Sequence, residues 1–397
     1  METLAIFGGK PVREKPIYYG HQYIDSEDIE AVVNVLKSDY LTCGPKINEL
    51  EKRICEVTGA KYAVAIANGT AALHVACLAA GIKEGDEVIT TPITFAASAN
   101  CALYCGAKPV FADIDSNTYN IDPDDIERKI TENTRAVVAV DFTGQAVEIE
   151  RIKDICKKNN LIFIEDGAHS IGTKYNGKGV GSLADMTTFS FHPVKTITGG
   201  EGGAITTNSK ELYEKLILFR AHGITRDLNK LENECHGPWY YEQIDMGYNY
   251  RITDIQAALI ISQLDKLDLF VKRRKEIVDK YNEAFSDMPE LIVQKEIKES
   301  DTARHLYIVQ LDIDKLNANR LDIFEALKSE NVCCNVHYIP VYYFPHYERL
   351  GYKRGICPNA EKLYDNMFSI PLYYGMTDED VQSVIEAIRK VISYYRK

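Results

Sequence analysis

The chain has 397 residues, 45% of them hydrophobic and 26% charged, with a formal net charge of -12. That length exceeds an average domain and the composition is globular, which excludes the disordered and low-complexity classes and predicts a large domain with a smaller companion. The acidic balance repels phosphate backbones and no concentrated basic face offsets it, so nucleic acid is not an expected partner.

Met1 to Lys10 lack a basic segment followed by an apolar run, and nowhere do about 18 apolar residues follow one another. No membrane partner is expected, and the expected location is cytoplasmic. The ten cysteines lie in a long chain without an export signal and read as reduced, mostly buried thiols. Adjacent Cys333 and Cys334 have no Cys or His partners at zinc spacing, so no metal is expected.

Asp25-Ser26-Glu27-Asp28 is a capped helix start, and Ile29, Val32, Val33 and Leu36 then repeat at helical spacing until Gly44 and Pro45 stop the pattern. A second amphipathic helix carries Ile47, Leu50, Ile54 and Val57, and Gly59 precedes an apolar strand from Tyr62 to Ala67. Short apolar runs then alternate with helical patterns: Glu87 to Ile89, Pro109 to Ile114, Ala136 to Phe142, Leu161 to Ile164, Thr187 to Phe191 and Gly203 to Thr206. Alternating strands and helices predict an α/β fold with a mostly parallel sheet covered on both faces, whose pocket lies at the carboxyl ends of the strands. A long amphipathic stretch from Ile252 to about Asp287 leads to a strand over His305 to Leu311 and a helix over Leu321 to Glu330. The expected division is a large domain over residues 12–251 and a smaller C-terminal α+β domain over 252–397.

Three loops carry chemistry. Ala67-Asn68-Gly69-Thr70-Ala71-Ala72 closes a strand and opens a helix, whose free amides, dipole and Thr70 hydroxyl suit a phosphate; taken alone, a simple capped turn is the better reading. Glu165-Asp166-Gly167-Ala168-His169-Ser170 follows a buried strand and offers a carboxylate able to grip a protonated heterocyclic nitrogen; a helix-capping Asp beside a partly buried His reads the same way. Phe189-Ser190-Phe191-His192-Pro193-Val194-Lys195 precedes the glycine-dense Gly199-Gly200-Glu201-Gly202-Gly203. A lysine there is a candidate for desolvation and amine nucleophilicity, although a solvated loop lysine is the commoner fate. Together the three supply an anion cradle, an aspartate for a ring nitrogen and a lysine for an aldehyde, the anchors that pyridoxal phosphate needs.

In the order and spacing of these segments the chain resembles the sugar-nucleotide aminotransferases, the DegT/StrS-like group of fold-type I pyridoxal-phosphate enzymes, over essentially its full length. The resemblance implies a seven-stranded central sheet flanked by helices, pyridoxal 5'-phosphate as cofactor with a pyridoxamine phosphate form, and Lys195 and Asp166 as catalytic residues. It also implies cofactor contacts from Asn68, Gly69, Thr70, Ala71, Ser190 and His169, and from Phe95 of Thr90-Thr91-Pro92-Ile93-Thr94-Phe95, stacked on the ring. Asn249 of Gly247-Tyr248-Asn249-Tyr250-Arg251 matches an asparagine that relatives lend to the neighbouring subunit, which implies a homodimer with shared active sites. Within the group the chain is most similar to the branch that aminates C4 of a UDP-linked 4-keto-6-deoxy-N-acetyl-hexosamine for pseudaminic acid synthesis, with L-glutamate as donor. Substrate contacts then fall on Tyr19, Asp39, Tyr40, Leu41, Thr42, Val336, His337, Tyr338 and Ile339, with Arg226 at the diphosphate. Gly199-Gly200 and Gly144-Gln145 depart from the residues of that branch. Sugar dehydratases of the group carry histidine in place of the lysine, so Lys195 separates the chain from them. The alternatives are an aminotransferase acting on another UDP- or dTDP-keto-sugar at C3 or C4 and, further off, a non-catalytic sensor on the same scaffold, which a transamination assay decides.

Overall fold

The computed structural model describes residues 2–397. Strands form where the short apolar runs lie: β1 (Tyr62–Ile66), β2 (Glu87–Thr90), β3 (Lys108–Phe111), β4 (Thr134–Val140), β5 (Ile162–Asp166), β6 (Met186–Ser190) and β7 (Gly203–Thr207). Among the described residues they make one seven-stranded sheet in the order β1-β7-β6-β5-β4-β2-β3. The β6-β5, β5-β4, β4-β2 and β2-β3 pairs are parallel, while β7 runs antiparallel to both of its neighbours.

Alternation along the strands sends neighbours to opposite faces. Ile89, Val137 and Phe163 join one core with Leu50 and Ile54, whereas Val88, Val138 and Ile164 join another with Leu73, Val75 and Ala76. The helices over these faces include α1 (Ser26–Leu36), α2 (Pro45–Thr58), α3 (Gly69–Ala79) and α4 (Ala97–Tyr104). Pro45 opens α2 rather than ending α1, since its missing N–H falls where a helix leaves amides unbonded. The stretch after Ile252 is two helices, α5 (Asp254–Leu264) and α6 (Leu267–Phe285). The chain turns between them where Lys266 reaches Asp25 at 2.7 Å and Asp28 at 2.9 Å.

A second, antiparallel sheet joins β8 (Leu291–Val293), β9 (Tyr307–Leu311) and β10 (Met367–Ile370). Its core holds Ile277, Tyr281, Val309, Phe368 and Ile388, and Leu4 and Ile17 from the start of the chain enter it. Strand β9 begins two residues later than its apolar pattern because His305 and Leu306 both donate their amides to the Thr143 carbonyl. The predicted helix nearby spans Arg320–Ser329.

Strand β5 runs two residues beyond its apolar run, pairing Glu165 with Ala139 and Asp166 with Val140. The two carboxylates therefore sit inside the sheet, on opposite faces. Burial, partly offset by the Thr187 hydroxyl and the Gly181 amide, lifts the Glu165 carboxyl from its ordinary 4.5 to about 7. Between those values the folded protein keeps a proton that the unfolded chain has released, so stability from this group falls as pH rises through that window. Glu165→Gln should therefore melt higher than the parent, with a difference that grows from about pH 4.5 to about pH 7 and then levels. Thermal melts across that range measure it, and a difference independent of pH would contradict the buried acid.

Candidate active site

A cavity of about 790 Å³ lies at the carboxyl ends of the sheet strands, lined by the loops after β1, β2, β5 and β6 and by Asn335 to Tyr338 from the C-terminal part. Its first wall is the start of α3. Asn68 is the N-cap, and its Oδ1 accepts the Ala71 amide at 2.8 Å. The amides of Gly69 and Thr70 have no carbonyl within the helix to bond, and the helix dipole adds its positive end there. Ser190 is pressed against this turn, since a Cβ on Gly69 would stand 2.9 Å from the Ser190 Cβ. Gly203 permits the approach from below: a side chain there would meet the Asn68 carbonyl at 2.6 Å. The result is a compact anion cradle.

Asp166 ends β5 on the cavity side and is 3% exposed. Its Oδ2 accepts a hydrogen bond from Ser98 Oγ at 2.6 Å and its Oδ1 one from the Ala168 amide at 3.1 Å. Burial pushes its carboxyl up, and these donors and the Lys195 charge pull against that. Lys195 sits in the turn after β6, where its amide bonds the His192 carbonyl at 2.9 Å. The glycine loop beyond it packs on α5, because a Cβ on Gly199 or Gly202 would meet Ile260 at 2.7 or 2.9 Å. Surrounding protein lowers the Lys195 ammonium from 10.5 to about 8, with Asp166 opposing the fall.

The opposite wall is aromatic. The rings of His169 and His305 lie 4.4 Å apart, His169 Nε2 meets the Tyr338 hydroxyl at 3.1 Å, and His337 Nδ1 meets Ser369 Oγ at 2.7 Å. Burial and the nearby Lys195 charge hold all three imidazoles below their ordinary range, His337 at about 4. They stay neutral at pH 7. An anion cradle, a buried carboxylate, a desolvated amine and a neutral aromatic wall around one ring-sized space fit a phosphorylated heterocyclic aldehyde.

Of the residues expected at the site, Tyr19, Asn68, Gly69, Thr70, Ala71, Phe95, Asp166, His169, Ser190, Lys195, Val336, His337 and Tyr338 line the cavity. Asp39, Tyr40, Leu41 and Thr42 do not. Asp254 accepts the amides of Gly44 and Lys46 at 2.8 and 2.9 Å and so fixes that loop on the outer surface. Arg226 lies over the Tyr241 ring, and Asn249 and Ile339 are exposed outside the lining. Thr94, Ser98, Tyr250, His305 and Asn335 line the cavity without having been singled out. Thr94 lies in a segment already marked by resemblance; nothing in the spacing marked His305.

The model of the DegT/DnrJ/EryC1/StrS aminotransferase family matches residues 22–389. The chain is 42% identical to the spore coat polysaccharide biosynthesis protein SpsC of Bacillus subtilis, over 94% of this chain and 96% of that one. It is 40% identical to the UDP-4-amino-4,6-dideoxy-N-acetyl-beta-L-altrosamine transaminase of Campylobacter jejuni, over 96% and 99%. Among solved structures, the pyridoxal-phosphate form of the sugar aminotransferase Spr1654 from Streptococcus pneumoniae superposes with a TM-score of 0.89, at 30% identity, over 96% and 99% of the two chains.

The lowered Lys195 ammonium has a direct test. A lysine with this shift becomes neutral and nucleophilic above about pH 8. Acylation of Lys195 in the cofactor-free protein by an amine-selective reagent should rise through that pH and level off. Peptide mapping by mass spectrometry follows it, and a midpoint near 10.5 would mark an ordinary solvated lysine.

Proposed function

Because the chain belongs to the DegT/DnrJ/EryC1/StrS aminotransferase family, we propose that it moves an amino group from L-glutamate to C4 of a UDP-linked 4-keto-6-deoxy-N-acetyl-hexosamine, giving UDP-4-amino-4,6-dideoxy-N-acetyl-beta-L-altrosamine. Its cofactor is pyridoxal 5'-phosphate. The observation that carries the reading is one cavity that gathers Lys195, Asp166 and the Gly69 cradle. The sugar rests on the likeness to the Campylobacter transaminase. A second reading, amination of another UDP- or dTDP-linked keto-sugar, draws on the likeness to the spore coat protein and on the departures at Gly199-Gly200 and Gly144-Gln145.

When bound, the cofactor supplies an aldehyde that carries the amino group and a cationic ring that accepts the electron pair left by the donor's α proton. Asn68, Gly69, Thr70, Ala71 and Ser190 would hold the phosphate, Phe95 and His169 would flank the ring, and Asp166 would keep its nitrogen protonated. Lys195 Nζ, released as a neutral amine, takes the proton from the donor's α carbon. It later delivers a proton to the sugar carbon that receives nitrogen, and its position on one side of the site sets the face. Tyr19, Val336, His337 and Tyr338 would orient the sugar.

The assembly we propose is a homodimer with shared active sites. A diphosphate and the donor carboxylates bring several negative charges, yet Lys195 is the one lysine or arginine among the described residues of the lining. Arg226 and Asn249 stand exposed, outside their own cavity, available to a second copy. Trp239 and Met246, each 68% exposed, place apolar surface on the same segment. The free cysteines suit a reducing compartment and support a cytoplasmic location.

Lys195→Ala should lose turnover by roughly a thousandfold or more and Asp166→Ala by about tenfold to a hundredfold, read as amino-sugar formation by mass spectrometry. Incubating the pyridoxamine phosphate form with a panel of UDP- and dTDP-keto-sugars identifies the acceptor; consumption of only a dTDP-sugar would favour the second reading. Mixing Lys195→Ala with a variant disabled at both Arg226 and Asn249 should regain part of the activity that each lacks alone. Full activity in a sedimenting monomer would overturn the shared site.

A further inference from the structure

We propose that Ser98 is a positioning residue for the cofactor, holding Asp166 as an oriented carboxylate through a hydroxyl relay that begins at Thr94. The inference rests on the reading that Asp166 meets the ring nitrogen. Thr94, Ser98 and Asp166 are 3%, 2% and 3% exposed, and all three line the cavity. Thr94 Oγ1 and Ser98 Oγ are 2.7 Å apart, and Ser98 Oγ stands 2.6 Å from Asp166 Oδ2.

The proton count fixes the direction of this chain. An ionised Asp166 has no proton to give, so Ser98 donates its single hydroxyl proton to Oδ2, and Thr94 must then donate to Ser98. A protonated Asp166 would reverse both bonds. The relay, the Ala168 amide on Oδ1 and the charge of Lys195 therefore favour the same state, against the burial that disfavours it. Among the causes that hold the carboxyl down, the Ser98 bond is the largest.

The local sequence gives Ser98 an easier alternative that it does not take. A serine in the first turn of a helix commonly caps a free amide or bonds a carbonyl of the preceding turn. Helix α4 starts without any side-chain cap, its N-cap being Ala96, while the Ser98 hydroxyl turns away toward a residue 68 positions along the chain. Between Thr94 and Ser98 lies Phe95, 65% exposed and on the cavity. One short turn thus presents both the ring-stacking face and the group that orients the ring's counter-charge.

The test uses the holoenzyme, with three readouts: the dissociation constant of pyridoxal phosphate, the pH titration of its bound absorbance, and kcat and KM measured separately. Ser98→Ala should weaken cofactor binding about tenfold, the loss of one hydrogen bond to a charged group. It should shift the absorbance titration and lower kcat, with the KM for the sugar nucleotide unchanged. Ser98→Thr, which keeps the hydroxyl, should restore all three, and Thr94→Val should reproduce the shift more weakly. Ser98→Cys keeps the size with a poorer donor and serves if the alanine variant fails to fold; it too should weaken binding. Binding and absorbance within twofold of the parent in the alanine or cysteine variant, or equal impairment by Ser98→Thr, would overturn the proposal. Asp166→Ala run alongside separates the two readings: if it too leaves the absorbance titration unchanged, the placement of Asp166 at the ring fails; if it shifts while Ser98→Ala is silent, only the relay does.

Discussion

The site depends on crowding an amine and a carboxylate with protein within one cavity. Removing water pushes Lys195 toward its neutral form and Asp166 toward its protonated form. Their mutual attraction works against both shifts. The balance leaves the Lys195 ammonium lowered to about 8 and the Asp166 carboxyl raised, with the Ser98 hydroxyl and the Ala168 amide restraining that rise. Chemistry that needs a base and an anion in one cavity is possible here because the two groups are shifted in opposite directions.

The surrounding wall follows the same logic. Three imidazoles lie within reach of the Lys195 charge, and a second cation in that space would raise the energy of the first. Burial and that charge hold His169, His305 and His337 neutral, so they contribute ring faces and hydrogen bonds without adding charge. Lys195 is thus the one lysine or arginine among the described residues of this lining, and Arg226 stands exposed outside it.

Shape is set by residues without side chains. Gly69 lets Ser190 close on the start of α3, and Gly203 lets β7 run against the backbone of Asn68. Gly144, with φ +98, brings the turn after β4 against the His169 carbonyl and the His305 amide, each near 3 Å from where a Cβ would stand. A methyl group at any of these would push one wall of the cavity outward, away from the strand ends that aim the reactive groups.

Strands and helices were legible in the chain because short apolar runs and repeats of 3.6 residues are local properties, as are the caps at Asp25 and Asn68. The three loops at the cavity were legible for a related reason: in an α/β sheet they lie at the carboxyl ends of strands, where Asp166 ends one strand and Asn68 and Lys195 follow others. What needed the folded molecule was whatever depends on long-range proximity. Whether the serine at position 98 caps its own helix or bonds a carboxylate far along the chain is decided by the fold, which here brings Asp166 to it. His305 becomes part of the wall only because its amide is drawn to Thr143. The Asp39 to Thr42 loop matched a substrate contact by position, yet Asp254 holds it on the outside of its own chain. Sequence alone therefore determined the fold class, the loops that meet at the cavity and the family pattern, since these follow from local periodicity and short motifs. Tertiary structure alone decided their protonation and the company they keep, because burial and charge act through space and not along the chain.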